Sequence, residues 1–373
     1  MSEPPPRPIP AVDLGAQHRA IAEEVAAGFA AVLDKTAFIL GPAVKEFETA
    51  YAAFVGARHC IGVANGTDAL ELALRAAGAD ADAEVLLPAN TFIATALAVL
   101  RAGARPVLVD CDPTHYLIDL EQAAARVTRR TRFLMPVHLY GQMAATEEIE
   151  ALARAHGLTV IEDAAQAQGA CRNGRAAGTV GRAAGTSFYP GKNLGAYGDA
   201  GAVTTDDDAL AARLRALRNY GSEVKYHHPE LGFNSRLDTL QAVVLSAKLK
   251  RLAGWNEARR AAARRYDELL ADLPAVTPPR TLPGNEHVFH LYVVRVPDRD
   301  AVVKKLAADG IGAQIHYPVP IHLQGAFRGL GLGPGSFPIA EQAAREILSL
   351  PMYPEITAEQ QARVVASLRR ALG

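Results

Sequence analysis

Short apolar runs separated by amphipathic stretches dominate the first two-thirds of the chain. Cys60 to Ala64, Glu84 to Leu87, Pro106 to Asp110, Phe133 to Val137 and Thr159 to Asp163 are brief runs rich in aliphatic residues, as expected of strands buried on both faces. Helical spacing lies between them, near Asp68, Thr91, Leu120 and Glu147, and this alternation is the pattern of a wound parallel sheet. Ala184 to Phe188 and Gly201 to Thr205 are joined by too little chain for a helical crossover. They are expected to pair antiparallel, with the loop between them at a sheet edge or rim.

Upstream, Asp13 to Leu33 has helical spacing that Gly41-Pro42 should end, and Val44 to Phe54 forms a second amphipathic stretch. Downstream, Asp206 to Tyr220 reads as a helix, and Gly221 to Asn234 as a polar loop too long for mere linkage. Leu237 to Leu273 reads as a long helix with an interruption expected at Gly254, stopped by the proline-rich Pro274 to Pro283. Beyond it, His290 to Val296 and Gly312 to His316 read as strands, and Asp300 to Asp309, Ala340 to Leu348 and Glu359 to Leu372 as helices. The expected fold class is α/β: a mostly parallel central sheet in a large domain with N-terminal helices, residues 1–250, followed by a smaller C-terminal α+β domain, residues 251–373.

Composition narrows the function classes. A formal net charge of -1 gives no overall pull towards nucleic acid or membrane. The lead Met1-Ser2-Glu3-Pro4-Pro5-Pro6-Arg7-Pro8 lacks the apolar core of a signal peptide, and no later run reaches transmembrane length, so a cytoplasmic protein is expected. Cys60, Cys111 and Cys171 never form a CxxC pair, which points to neither disulfide nor zinc. The histidine spacings, His227-His228 and His316 with His322, are equally poor for metal.

The candidate chemistry centres on Phe188-Tyr189-Pro190-Gly191-Lys192-Asn193-Leu194-Gly195-Ala196. A lysine held in such a turn is either solvated or partly desolvated, and in the second case its neutral amine can form a Schiff base. A phosphate P-loop is rejected, because Thr186 and Asn193 stand where that motif needs Gly and Ser or Thr. Gly66-Thr67-Asp68-Ala69-Leu70-Glu71 follows a strand and opens a helix, with Asp68 and Glu71 spaced like a capping box. Such a start either receives an anion on its free N–H groups or binds nothing. Asp163, at a strand end, is either a helix cap or the partner of a protonated pyridine nitrogen. Phe92 is placed to stack on a planar cofactor or to fill the core, and Ser187 offers a hydroxyl to a phosphate.

Four ordered motifs, Asn65-Gly66-Thr67-Asp68-Ala69-Leu70, Glu162-Asp163-Ala164-Ala165-Gln166, Ser187-Phe188 with Lys192, and Gly232-Phe233-Asn234-Ser235-Arg236-Leu237-Asp238, together resemble the DegT-like nucleotide-sugar aminotransferases. The resemblance covers nearly the whole chain. It implies the fold type I scaffold of pyridoxal 5′-phosphate-dependent transferases, with pyridoxamine phosphate formed during turnover. It also implies Lys192 as Schiff-base lysine, Asp163 as pyridinium partner, Gln166 on the ring hydroxyl, Phe92 stacked on the ring, and Gly66, Thr67 and Ser187 around the phosphate. Asn234 would reach the neighbouring subunit's phosphate in a homodimer with shared active sites. Tyr189, Arg236, His316 and Tyr317 would face substrate. Within the family, the lysine loop, Gly221-Ser222-Glu223-Val224-Lys225-Tyr226-His227-His228 and Ile315-His316-Tyr317-Pro318 are most similar to dTDP-3-keto-6-deoxyhexose 3-aminotransferases, with L-glutamate as amino donor. UDP-linked and 4-keto sugars are the alternatives, and a non-catalytic nucleotide-sugar-binding regulator is the rival of another class. Sugar dehydratases on this fold carry histidine in place of the lysine, so Lys192 argues against them. One departure is Ala200, where the family has a second glycine, and strain is expected if that backbone requires positive φ.

Overall fold

The computed structural model describes residues 7–373; residues 1–6, most of the proline-rich lead, lie outside the described residues. The first amphipathic stretch is two helices, α1 (Leu14–Arg19) and α2 (Ala22–Lys35), because the chain breaks at Ala20 and Ile21. Asp13 caps α1 through the Ala16 N–H, and α2 stops at Thr36 in the left-handed conformation. Gly41-Pro42 does not end that element. It opens α3 (Pro42–Val55), since the fixed φ of proline suits a first helical turn.

The alternation then appears as β1 (His59–Val63), α4 (Gly66–Ala76), β2 (Glu84–Pro88), α5 (Ile93–Arg101), β3 (Arg105–Val109), α6 (Leu120–Ala125), β4 (Thr131–Leu134), α7 (Thr146–His156) and β5 (Thr159–Asp163). Two short strands, β6 (Cys171–Arg172) and β7 (Arg175–Ala176), precede β8 (Ala183–Ser187), β9 (Gly201–Thr205), α8 (Asp208–Leu217) and α9 (Thr239–Leu270). The remainder comprises β10 (Asn285–Glu286), β11 (Tyr292–Arg295), α10 (Arg299–Ala308), α11 (Pro338–Glu346), β12 (Ile347–Leu350) and α12 (Ala358–Leu372).

Among the described residues, seven strands form the main sheet in the order β1-β9-β8-β5-β4-β2-β3. The pairs from β8 through β5, β4 and β2 to β3 are parallel, whereas β9 runs antiparallel to both β8 and β1. Strand β9 is therefore the reversed member. The C-terminal ends of the other six share one rim, and the turn from β8 to β9 lies on that rim inside the sheet and not at its edge. Helices α4 and α5 cover this sheet through a core that includes Leu70, Leu74, Val85, Leu87, Val99 and Val203. Burying both faces explains why the strands read as continuous apolar runs.

The 32 residues of α9 are continuous through Gly254, and the expected interruption does not occur. At 1.5 Å per residue the helix is about 48 Å long. Its first half packs on α2 and α3, and its second half joins α12, β11 and β12 in a separate core around Tyr266, Tyr292 and Leu368. Two readings in this part need correction. Ile347 and Leu348, expected to end a helix, belong to β12 (Ile347–Leu350), which pairs antiparallel with β11. Gly312 to His316 is not a strand: Gln314 exchanges two hydrogen bonds with Ser349, 3.1 and 2.7 Å, and the chain then leaves the edge. That departure carries His316 and Tyr317 towards the rim of the large sheet. No helix among the described residues is long and apolar enough to cross a membrane.

Candidate active site

The lysine loop is a tight excursion from β8 held at several points. The Lys192 N–H donates to Tyr189 O at 2.9 Å, Ala196 N to Phe188 O at 2.8 Å, and Phe188 N to Ala200 O at 2.8 Å. Phe188 is buried edge-on against Phe47 and Tyr51, so the aromatic after Ser187 is the loop's anchor. Asn193 is the second anchor: its amide donates to Asn256 Oδ1 on α9 (2.9 Å) and Val288 O (3.0 Å), and its carbonyl oxygen lies 3.2 Å from His290 Nδ1. Ala200 has no positive φ. The condition for strain is therefore not met, and alanine is tolerated there.

Lys192 is only partly covered as a residue, yet its amine is crowded enough that burial lowers its pKa to about 8, against the opposing pull of the Asp163 charge. Asp163 terminates β5. Burial raises its pKa, while hydrogen bonds from Thr95 and Ala165 and the charge of Lys192 oppose the rise. Thr95 Oγ1 donates to Oδ2 at 2.7 Å and Ala165 N to Oδ1 at 3.1 Å. Of the two alternatives for Asp163, the helix-cap reading fails, because no helix begins there.

Glu162 points to the opposite face of β5, as alternation requires. Burial would push its pKa up, but His138 and the N–H groups of Gly181 and Gly178 outweigh burial and hold the carboxyl below its usual value. The His138 tautomer follows from its partners. Ala144 N donates to Nδ1 at 3.2 Å, so Nε2 carries the proton and donates to Glu162 Oε2 at 2.8 Å. The His138 backbone N–H also donates to Asp163 O at 3.0 Å. This clamp was missed from the sequence, although a glutamate inside an apolar strand was a signal that a buried partner must exist.

Across the rim, the first turn of α4 meets the end of β8. A Cβ on Gly66 would lie 2.5 Å from Ser187 Cβ, and one on Gly201 2.5 Å from Asn65 C and O, so only glycine permits this approach. The helix cap is Asn65, whose Oδ1 accepts from Asp68 N at 2.9 Å. The Asp68–Glu71 capping box is therefore corrected: Asp68 instead accepts from Ser235 Oγ (2.8 Å) and Arg101 Nη2 (3.0 Å), and Glu71 pairs with Arg75 and Arg101. The N–H groups of Gly66 and Thr67 have no partner among the described residues, and with the Ser187 hydroxyl beside them they form a ready anion site.

Phe92, 50% exposed, caps α5 and lies 5.3 Å from the Tyr317 ring. Gln166 accepts from Tyr140 N (2.7 Å) and donates to Tyr317 Oη (2.9 Å). Tyr140 Oη donates to His316 O, and His316 Nδ1 lies 2.8 Å from Ser349 Oγ. Burial, reinforced by the Lys192 charge, lowers the His316 pKa to about 4, so its ring is neutral. Tyr189 is exposed beside the lysine. Lys192, Asp163, Gly66, Thr67, Ser187, Gln166, Phe92, Tyr189, His316 and Tyr317 thus share one rim. Arg236 and Asn234 are not brought to it within the chain. Arg236 bonds Asn219 Oδ1 (3.2 Å) in a surface groove with Tyr220, Lys225, Tyr226 and His228. Asn234 is exposed, without a side-chain hydrogen bond among the described residues.

Residues 19–369 match the DegT/DnrJ/EryC1/StrS aminotransferase family. The chain is 48% identical over 362 residues to a "pleiotropic regulatory protein" of Geobacillus stearothermophilus, covering 96% of this chain and 97% of that one. It is 46% identical over 361 residues to the dTDP-3-amino-3,4,6-trideoxy-alpha-D-glucose transaminase of Streptomyces venezuelae, covering 97% and 95%. To a UDP-N-acetyl-3-dehydro-alpha-D-glucosamine 3-aminotransferase of Acidithiobacillus ferrooxidans it is 46% identical over 364 residues, covering 98% of each. The crystal structure of S. venezuelae DesV in complex with a ketimine intermediate superposes with a TM-score of 0.96 at 45% identity, covering 98% of both chains.

Proposed function

The chain belongs to the DegT/DnrJ/EryC1/StrS aminotransferase family, and from that premise we propose that it moves the amino group of L-glutamate to C3 of a dTDP-linked 3-keto-6-deoxyhexose, with pyridoxal 5′-phosphate as cofactor. The observation that carries this reading is the pairing at one rim of a crowded Lys192 amine, its pKa near 8, with the buried Asp163 carboxylate. The residues present fit the cofactor. The free N–H groups of Gly66 and Thr67 with the Ser187 hydroxyl suit a phosphate, Asp163 suits a protonated ring nitrogen, and the open face of Phe92 suits a planar ring. Gln166 keeps one amide N–H beyond its bond to Tyr317, a donor for the ring hydroxyl.

Bound there, the cofactor supplies a carbonyl carbon for amine exchange and a ring that takes up an electron pair. Lys192 Nζ, partly deprotonated near neutral pH, is the nucleophile that holds the cofactor between turnovers. Freed from the cofactor, the same amine would act as general base at the donor's α-carbon and as general acid towards the cofactor's exocyclic carbon, and it would serve the keto sugar in the opposite sense. Asp163 keeps the ring nitrogen protonated throughout. Tyr189, His316 and Tyr317 line the approach, and the neutral His316 ring offers a hydrogen bond to the sugar without repelling Lys192.

Support for a dTDP sugar comes from the S. venezuelae relative, while the A. ferrooxidans relative of the same identity keeps a UDP sugar as the alternative. A homodimer with shared sites is supported by the exposed Asn234 and by the apolar Val224, Tyr226 and Leu231 on the same loop, 63%, 81% and 95% exposed. A cytoplasmic enzyme is part of the same reading. The test is product mass after incubation of the purified protein with L-glutamate and a panel of dTDP- and UDP-linked 3-keto and 4-keto sugars. A dTDP 3-amino sugar is expected, and turnover of UDP or 4-keto sugars alone overturns the substrate. Absence of any glutamate-dependent change in cofactor absorbance would return the protein to the regulatory reading that the G. stearothermophilus name suggests.

A further inference from the structure

Behind Asp163 lies a buried chain of two hydroxyls. Thr91, in the turn after β2, and Thr95, in the first turn of α5, are 3% and 1% exposed. Their oxygens are 2.8 Å apart, and Thr95 Oγ1 is 2.7 Å from Asp163 Oδ2. Apart from Thr95 and Arg101, α5 is built of alanine, leucine, isoleucine and valine. Threonine in a helix commonly turns its hydroxyl back to a carbonyl one turn earlier, but neither hydroxyl makes such a bond here.

The direction of the chain follows by elimination. An ionised carboxylate only accepts, so the single Thr95 proton goes to Asp163. Thr95 can then only accept from Thr91, whose proton completes the link. Hydrogen bonds aligned in this way polarise one another. The other carboxylate oxygen takes the Ala165 N–H. One donor on each oxygen, both from fixed elements, sets the twist of the carboxylate and leaves lone pairs free for the crevice.

Resting on the reading of Asp163 as partner of the ring nitrogen, we propose that Thr95 is a positioning residue for Asp163 and Thr91 one for Thr95, a directed hydroxyl chain that turns the carboxylate into the crevice and stabilises its negative charge. The other groups acting on Asp163 come from other elements: Lys192 from the turn between β8 and β9, His138 from the segment after β4, and Tyr317 from the segment before α11. A change at Thr95 leaves them in place. Thr95→Val keeps the volume and removes the donor, whereas Thr95→Ser keeps the donor and removes a methyl.

The experiment is binding of pyridoxamine 5′-phosphate to the cofactor-free protein by calorimetry across pH, for wild type, Thr95→Val, Thr95→Ser, Thr91→Val and Asp163→Asn. Affinity should fall on the acid side as Asp163 is protonated. Loss of one hydrogen bond to a charged group should move that limb up by about one to two pH units in Thr95→Val, with about tenfold or greater loss of affinity on the acid side of that limb. Thr95→Ser should restore both, and Thr91→Val should shift the limb the same way by less. A wild-type limb in Thr95→Val, or no rescue by serine, overturns the proposal and leaves Thr95 a packing residue. Should Thr95→Val fail to fold, Thr91→Val decides, and an unshifted limb there overturns it. Asp163→Asn separates the two levels of inference: an unchanged limb in that variant removes Asp163 itself from the nitrogen.

Discussion

Replacing Gly66 by alanine tests the anion site at the start of α4. The new Cβ would stand 2.5 Å from Ser187 Cβ and 3.1 Å from Ser187 Cα and Oγ, whereas carbon atoms in contact need about 3.5–4.0 Å. Ser187 belongs to β8, which is bonded on both sides to β5 and β9, so the first turn of the helix must yield by roughly 1 Å. Overpacking of this kind costs about 1–3 kcal/mol, and replacing a helical glycine returns at most about 0.5–1 kcal/mol. The net stability loss is therefore about 0–2.5 kcal/mol. The displaced Gly66 and Thr67 N–H groups lose one good hydrogen bond to a charged phosphate, about 1.5–3 kcal/mol, so cofactor affinity should fall about 10- to 150-fold. Titration of the cofactor-free variant with pyridoxal phosphate, beside a thermal melt, separates the two effects. Wild-type affinity in a folded Gly66→Ala protein would refute the placement of the phosphate. Gly201→Ala, which pushes on Asn65 from the sheet side, should weaken binding in the same direction.

Three further outcomes are expected. Lys192 needs its neutral amine, so covalent attachment of pyridoxal phosphate to the cofactor-free protein should accelerate as pH rises through about 8 and be absent in Lys192→Ala, read by borohydride fixation and mass; fixation in that variant would name another lysine. Gly254→Ala, on the exposed side of a continuous α9 with nothing within 4 Å of the new methyl, should stabilise the protein by about 0.5–1 kcal/mol, and a lowered melting temperature would contradict the unbroken helix. Mixed Lys192→Ala and Asn234→Ala subunits should regain about a quarter of native sites by two-fold symmetry, and verified exchange without regained activity, given an inactive Asn234→Ala homodimer, would sink the shared-site reading.

The apolar runs located the strands to within a few residues, and the short link between β8 and β9 pointed to the antiparallel pairing that they make. Lys192, Asp163, Gly66 and Ser187 were legible because Asp163 and Ser187 end strands, Gly66 opens a helix and Lys192 lies in the turn between β8 and β9, where the chain direction sends each to the rim. The errors are of another kind. Asp68 and Glu71 have the spacing of a capping box, but Arg101, a residue on the next helix, takes both. Gly312 to His316 has the residues of a strand but meets an edge at Gln314 alone.

Local periodicity determined the order of elements and put the Lys192 amine in a loop between two strands, since period and strand ends are properties of neighbours in sequence. Only the tertiary structure decided the state of the acid beside that amine. Thr95 reaches Asp163 across 68 positions, and His138 reaches Glu162 across 24. Partners so distant leave no spacing to read, and a buried carboxylate can lie in either of two orientations until packing brings a donor to one of its oxygens.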